Sequence, residues 1–243
     1  MQAVSRTPVA ARVQIISLPY EKPPQSFINH SNFFMSQFDL FHSVSPEHNL
    51  LPYNGIVNDF GLILKSQEAD NLFEELLHNI PWQHDEAIIY GKHITTARQV
   101  AWYGDHAFDY TYSRIRRTAL PWHPILLSLK HTIEQHLQSI SPTVFNSCLL
   151  NLYSDGIEGM GWHSDDEKEL GNEPIIASLS LGATRKFAFK HKYTAKKCEL
   201  MLQHGQLIVM RGKTQQHWRH AVMKSINITE PRINLTFRTF YSR

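Results

Sequence analysis

A few short segments carry residue types at spacings that could assemble a metal site with an anion-binding face beside it. The first is Trp162-His163-Ser164-Asp165. In extended backbone, residues two apart project to the same side, so His163 and Asp165 can offer an imidazole and a carboxylate to one ion. A histidine from elsewhere would complete a two-histidine, one-carboxylate triad, which leaves coordination positions open on non-haem Fe(II). His217 and His220, in His217-Trp218-Arg219-His220, are both candidates, and each reads equally well as a capping or surface residue. The second segment is Arg232-Ile233-Asn234-Leu235-Thr236-Phe237-Arg238, which alternates without a break. Ile233, Leu235 and Phe237 face one way, and Arg232, Asn234, Thr236 and Arg238 face the other. Two arginines on one strand face are costly to bury without an anion. A dicarboxylate has two anionic ends, each suited to the forked guanidinium. In Phe145–Tyr153 the same alternation puts Asn151 and Tyr153 on one face, where both can hydrogen-bond one ligand.

The elements that must hold these residues are legible in part. Ser66 reads as a helix N-cap, with Glu68 and Asp70 in the first turn. Ala69, Leu72, Phe73, Leu76, Leu77 and Ile80 then recur at helical spacing until Pro81. Pro124 can open a second helix with Leu126, Leu129, Ile133 and Leu137 on one face. From about Phe145 onward the reading is β, with strands at Phe145–Tyr153, Ile175–Leu181, Lys186–Lys190, Leu200–Leu202, Gln206–Met210 and Arg232–Phe240. Short strands following two helices indicate a mainly β fold, a sandwich or barrel with helices packed outside it. Residues 1–50, broken by Pro8, Pro19, Pro23, Pro24 and Pro46, read as an N-terminal extension, partly flexible. Residues 51–243 read as one domain.

Composition narrows the classes. Of 243 residues, 42% are apolar and 19% charged, which excludes a disordered chain. Two cysteines, Cys148 and Cys198, are too few for a disulfide framework or a four-cysteine zinc site. No apolar run approaches the ~20 residues of a spanning helix, and no signal-like segment follows Met1. A cytoplasmic protein is expected, with a nuclear location left open. The net charge of +2 conceals an asymmetry: residues 184–243 hold 13 Lys/Arg against 2 Asp/Glu, and residues 1–183 hold 11 against 20. Arg185, Lys186, Lys190, Lys192, Lys196 and Lys197 follow one another with no acid between them, a stretch suited to phosphates.

Four segments together resemble the AlkB family of Fe(II)- and 2-oxoglutarate-dependent nucleic-acid dealkylases. They are Asn151-Leu152-Tyr153-Ser154-Asp155-Gly156, Gly161-Trp162-His163-Ser164-Asp165-Asp166-Glu167, His220, and Pro231 through Arg238. The resemblance runs from about Leu51 to Tyr241. Tyr103-Gly104-Asp105 and Tyr110-Thr111-Tyr112-Ser113 resemble the branch that acts on alkylated DNA and RNA bases. Leu152 stands where some members have Arg; alternation turns it away from the cosubstrate face.

The resemblance implies a double-stranded β-helix (jelly-roll) core with N-terminal helices. It implies iron at His163, Asp165 and His220, choosing His220 over His217, and 2-oxoglutarate at Asn151, Tyr153, Arg232 and Arg238. Arg232 with Tyr153 would take the distal carboxylate, and Arg238 the end nearer iron. The implied reaction uses O2, converts 2-oxoglutarate to succinate and CO2, and removes an N-methyl group as formaldehyde. The base would have to be flipped out of its stack, with Tyr112 and the His163 ring on its faces and Tyr110 nearby. Asp166 and Glu167 would contact the base and favour a cationic methylated form. Tyr90, at an expected turn, could wedge into the gap left behind. The expected partner is alkylated DNA or RNA and the expected state a monomer. Two other functions fit parts of the pattern: an oxygenase acting on protein or lipid, and a non-enzymatic nucleic-acid-binding barrel.

Overall fold

The two faces of the Arg232–Arg238 strand set the layering of the whole domain. The computed structural model describes residues 45–89, 92–112 and 115–241, with the side chains of 87–89, 109–112 and 115–117 outside that description. Most of the expected N-terminal extension therefore lies outside the described residues. In chain order the elements are β1 (Ile56–Leu62), α1 (Ser66–Asn79), β2 (Gln83–Ile89), β3 (Lys92–Gly104), β4 (Asp109–Tyr112), β5 (Ile115–Thr118), β6 (Leu120–Pro121), α2 (Pro124–Leu137), β7 (Ser147–Tyr153), β8 (Met160–His163), β9 (Ile176–Gly182), β10 (Arg185–His191), β11 (Lys197–Leu202), β12 (Gln206–Arg211), α3 (Thr214–His217), β13 (Trp218–Val222) and β14 (Arg232–Arg238).

A large sheet runs β1-β12-β9-β14-β7-β3-β2, with the short β6 also on β3. A second sheet runs β11-β10-β13-β8. Every pairing in the two sheets is antiparallel except β3 with β6. Ile233, Leu235 and Phe237 of β14 and Leu150 and Leu152 of β7 point to the helix side. There they form one core with Leu76 of α1 and Leu126, Leu129, Ile133 and Leu137 of α2. Leu152 thus faces away from the other sheet, as alternation requires. A second core lies between the sheets, joining Tyr153, Ile176, Ile208 and Met210 to Phe187, Phe189, Leu202, Trp218 and Val222. Two antiparallel sheets face to face, with helices on the outer side of one, make the expected jelly-roll.

The sequence reading misses much of the first half. β1 and the long β2–β3 hairpin lie in a stretch where only helices are legible, and they form the two opposite edges of the large sheet, β1 beside β12 and the hairpin beside β7. Ser66 is the first helical residue of α1 rather than its cap: Lys65 holds that place, with no side-chain cap bond. α2 starts at Pro124 as expected, and the His123 ring accepts from the Ile125 amide at 3.4 Å. No helix among the described residues is long and apolar enough to cross a membrane.

Candidate active site

β8 and β13 are neighbours in the small sheet, and their register sets His163 directly across from His220. Directly opposed residues share a face, so both imidazoles enter the space between the sheets. Their ring centroids are 4.2 Å apart. Asp165 follows β8 and turns inward beside them, its Oδ1 3.6 Å from His163 Nε2 and 3.9 Å from His220 Nε2. One ligand atom from each of the three lies within 4.8 Å of the others.

Local bonds fix this geometry. The Asp165 amide donates to Gln215 Oε1 at 2.9 Å, and the Ser164 hydroxyl donates to the Trp218 carbonyl at 3.0 Å. The short helix α3 and the start of β13 therefore hold the chain through Asp165. His163 Nδ1 lies 2.8 Å from the Gly161 carbonyl, which makes that nitrogen an N–H and turns Nε2 toward Asp165. Arg238 donates to Asp165 Oδ2 at 2.8 Å. Burial is the largest single influence and works against charge on Asp165, but the Arg238 guanidinium and the His220 and His163 rings together outweigh it and hold the carboxyl at about 2. Burial, reinforced by the neighbouring His163 and Arg238, pulls His220 down to about 3, so its ring is neutral. A neutral imidazole and an ionised carboxylate are the protonation states a metal ligand needs. His217 lies on α3 and stacks on His191 instead, with centroids 6.1 Å apart.

An open cleft between the sheets contains this triad. Asn151, Tyr153, Ser178, Asn234, Thr236 and Arg238 line one side, and Val100, Trp102, Leu149, Met160, Phe187, Met210, Val222 and Phe240 supply apolar wall. Arg232 sits just beyond the wall and is fully buried. Its Nη2 donates to Ser180 Oγ at 2.9 Å and Asn234 Oδ1 at 3.1 Å, and its guanidinium carbon stands 5.5 Å from the Tyr153 ring centre. Nε and Nη1 have no hydrogen-bond partner. Burial pulls this guanidinium down to about 10, still a cation at neutral pH. Two cations on one strand face, one with orphaned donors, fit a ligand with two anionic ends.

The remaining expectations fare differently. Glu167 lines the cleft. Asp166 is exposed, 3.5 Å from Lys192 Nζ. The backbone of Tyr110 and Tyr112 lies in β4, across from Arg117 and Ile115, and their side chains are outside the description. Tyr90 also lies outside the described residues. Arg185 must be taken out of the phosphate-facing stretch. It points between the sheets, is fully buried, and donates to the carbonyls of Asp155, Gly156, Glu158 and Met223. It clamps the loop after β7, where a Cβ on Gly156 would stand 2.1 Å from the Ser225 carbonyl. Lys192 is likewise tied down, donating to the Gln215 carbonyl at 2.8 Å. Sequence reasoning missed Asp85, Arg98, Ser178 and Gln215, whose surroundings depend on long-range pairing.

A family model described as the 2OG-Fe(II) oxygenase superfamily matches residues 59–238. The chain belongs to that superfamily. Among curated relatives, alpha-ketoglutarate-dependent dioxygenase alkB homolog 3 of Bos taurus is 45% identical over 185 residues, 72% of this chain and 63% of that one. The Homo sapiens alkB homolog 3 is 43% identical over the same shares. The match thus spans less than two thirds of these relatives. DNA oxidative demethylase ALKBH2 of Homo sapiens is 33% identical over 208 residues, 81% of this chain and 78% of that one. The solved structure of OsALKBH1 shares the fold, with a TM-score of 0.54 at 15% identity over 78% of this chain and 98% of that one. The superfamily's name specifies Fe(II) and 2-oxoglutarate. The donor set of the triad and the orphaned donors of Arg232 fit both.

Proposed function

We propose that this chain is an Fe(II)- and 2-oxoglutarate-dependent demethylase of alkylated bases in DNA or RNA. The observation that carries the reading is the convergence of His163, Asp165 and His220, with Arg238 bonded to Asp165 and Arg232 on the same strand face. In this reading the triad holds iron and leaves coordination positions open. Arg232 with Tyr153 takes the distal carboxylate of 2-oxoglutarate, while Arg238 and Asn151 serve the end nearer the metal. Bound iron, with O2 and 2-oxoglutarate, supplies the oxidising chemistry, which yields succinate, CO2 and formaldehyde. The chain binds, orients and keeps water out: Trp102, Leu149, Phe187 and Phe240 line the apolar side. A methylated base must leave its stack to enter. Tyr112 and His163 are assigned to its faces, Tyr110 beside it, Tyr90 to the gap it leaves, and Asp166 and Glu167 to its charge.

Two features support a nucleic acid over a protein or lipid substrate. Curated relatives at 33–45% identity bear alkB homolog 3 and DNA oxidative demethylase names. In the small sheet, Lys190 stands across from Lys197 on β11 and from Arg219 on β13. These three cations form a row on the outer face, and none forms an ion pair among the described residues. Like charges directly opposite are destabilising, and a polyanion relieves them. The test is formaldehyde release from oligonucleotides carrying 1-methyladenine or 3-methylcytosine, with and without Fe(II) and 2-oxoglutarate. Release that needs both supports the reading. Binding without release under any condition would leave a non-enzymatic barrel. Decarboxylation of 2-oxoglutarate unaffected by any methylated oligonucleotide would point to another substrate class.

A further inference from the structure

Asp85 and Arg98 are a charged pair in the cleft wall that the reading above does not use. Asp85 is 3% exposed and Arg98 8%. Both sit where the β2–β3 ladder slips. His84 pairs with Gln99 and Glu86 with Thr95, so between those rungs Asp85 alone faces Thr96, Ala97 and Arg98. Such irregularities re-aim side chains, here into the cleft. Side chains hold the slip in place. The Thr96 hydroxyl donates to the Arg98 carbonyl at 3.0 Å, and His84 Nδ1 lies 3.1 and 3.0 Å from the carbonyls of Thr96 and Ala97.

Arg98 uses its fork in two directions. Nη2 donates to the Asp85 carboxylate and Nη1 donates to Oδ1 of Asn151. An amide side chain can present either its oxygen or its nitrogen on a given side. A guanidinium has donors only, so it fixes the Asn151 oxygen toward Arg98 and leaves Nδ2 as the free branch. Asn151 lines the cleft on the same strand face as Tyr153. Held this way it offers an N–H donor, which suits a carboxylate or keto oxygen. Flipped, it would offer a lone pair and repel one. Asp85 supplies the countercharge that lets Arg98 stay buried in this pose.

We infer that Asp85 is a positioning residue for 2-oxoglutarate: through Arg98 it sets the Asn151 amide so that Nδ2 donates to the cosubstrate. The inference rests on the assignment of Asn151 to 2-oxoglutarate. The test measures 2-oxoglutarate affinity by calorimetry on the full chain loaded with Mn(II), so that turnover is not the readout. Asp85→Asn should weaken 2-oxoglutarate binding about tenfold, the scale of one hydrogen bond to a charged group, with Mn(II) affinity unchanged. Asn151→Ala should weaken it by at least as much. Asp85→Asn placed in the Asn151→Ala background should then cost nothing further, because coupled residues are not additive. An equal loss in both backgrounds, or no loss from Asp85→Asn alone, overturns the inference. Unchanged affinity in Asn151→Ala removes the Asn151 assignment and the inference with it. The proposed activity is judged separately, by formaldehyde release from the unaltered protein. If Asp85→Asn does not fold, Asp85→Leu combined with Arg98→Met removes both charges together and should show the same tenfold loss.

Discussion

Replacing Arg232 with Met should stabilise the metal-free, cosubstrate-free protein and cripple its hold on 2-oxoglutarate. The guanidinium is fully buried, has two donors without partners, and forms no ion pair with a carboxylate among the described residues. Burial pulls its pKa from 12.5 to about 10. At about 1.4 kcal/mol per tenfold, that is roughly 3 kcal/mol held against the charged form. An apolar side chain of similar volume avoids that cost, and such replacements are commonly neutral or stabilising by about 1–4 kcal/mol. Loss of the Ser180 and Asn234 bonds offsets roughly 1 kcal/mol of it. The net expectation is a gain of about 1–2 kcal/mol, or roughly 2–8 °C in Tm for a domain of this size. Under the proposed assignment the same substitution removes the partner of the distal carboxylate, typically about 2–5 kcal/mol, so 2-oxoglutarate affinity should fall at least thirtyfold. Urea unfolding of the ligand-free protein and calorimetry with Mn(II) and 2-oxoglutarate read the two effects. A variant that is less stable yet binds 2-oxoglutarate normally would refute the reasoning and make Arg232 a structural bolt for Ser180 and Asn234.

Arg185 should behave in the opposite way. Its guanidinium satisfies four backbone carbonyls, so Arg185→Met should destabilise by about 2–4 kcal/mol through unpaired buried acceptors, measured by urea unfolding. Asp165→Ala should abolish formaldehyde release while the melting transition survives, whereas His217→Ala should keep activity; a dead His217→Ala beside an active His220→Ala would reverse the choice of ligand. Changing Lys190, Lys197 and Arg219 together to Gln should flatten the salt dependence of oligonucleotide binding. For every phosphate no longer neutralised, the log–log slope should fall by about 0.9 on duplex or ~0.7 on single strands. An unaltered slope would mean that this row is a solvated face.

What could be read from the sequence follows from how local each signal is. β14 announces both its faces because seven residues alternate apolar and polar without a break, and the helix core takes Ile233, Leu235 and Phe237 as expected. His163 and Asp165 are close in sequence, so their convergence needs only extended backbone. The choice between His217 and His220 is different. It depends on β13 pairing with β8 in the register that opposes His220 to His163, and five residues of mixed type do not reveal that pairing. Asp85 and Arg98 are hidden for a related reason. The β2–β3 hairpin is largely polar and irregular, so no alternation marks which residues turn inward. Arg185 misleads because its neighbours Lys186 and Lys190 are surface-facing while it occupies the inward phase of the same strand.

The place of β14 in the large sheet bears on how the protein is made. It follows every other strand in chain order, yet it lies between β7 and β9 and pairs with both along its length. During vectorial synthesis β7 and β9 therefore emerge with their facing edges open, and no earlier segment can close the gap between them. Open edges of apolar strands invite wrong pairing. The ribosome must release Arg232–Arg238 before the sheet becomes continuous, and the same event delivers Arg238 to the cleft and Arg232 to its buried place just beyond the wall. A nascent chain stalled short of that strand should then be a chaperone client that binds no cosubstrate, and a one-residue slip on insertion would send both guanidinium groups into the helix core.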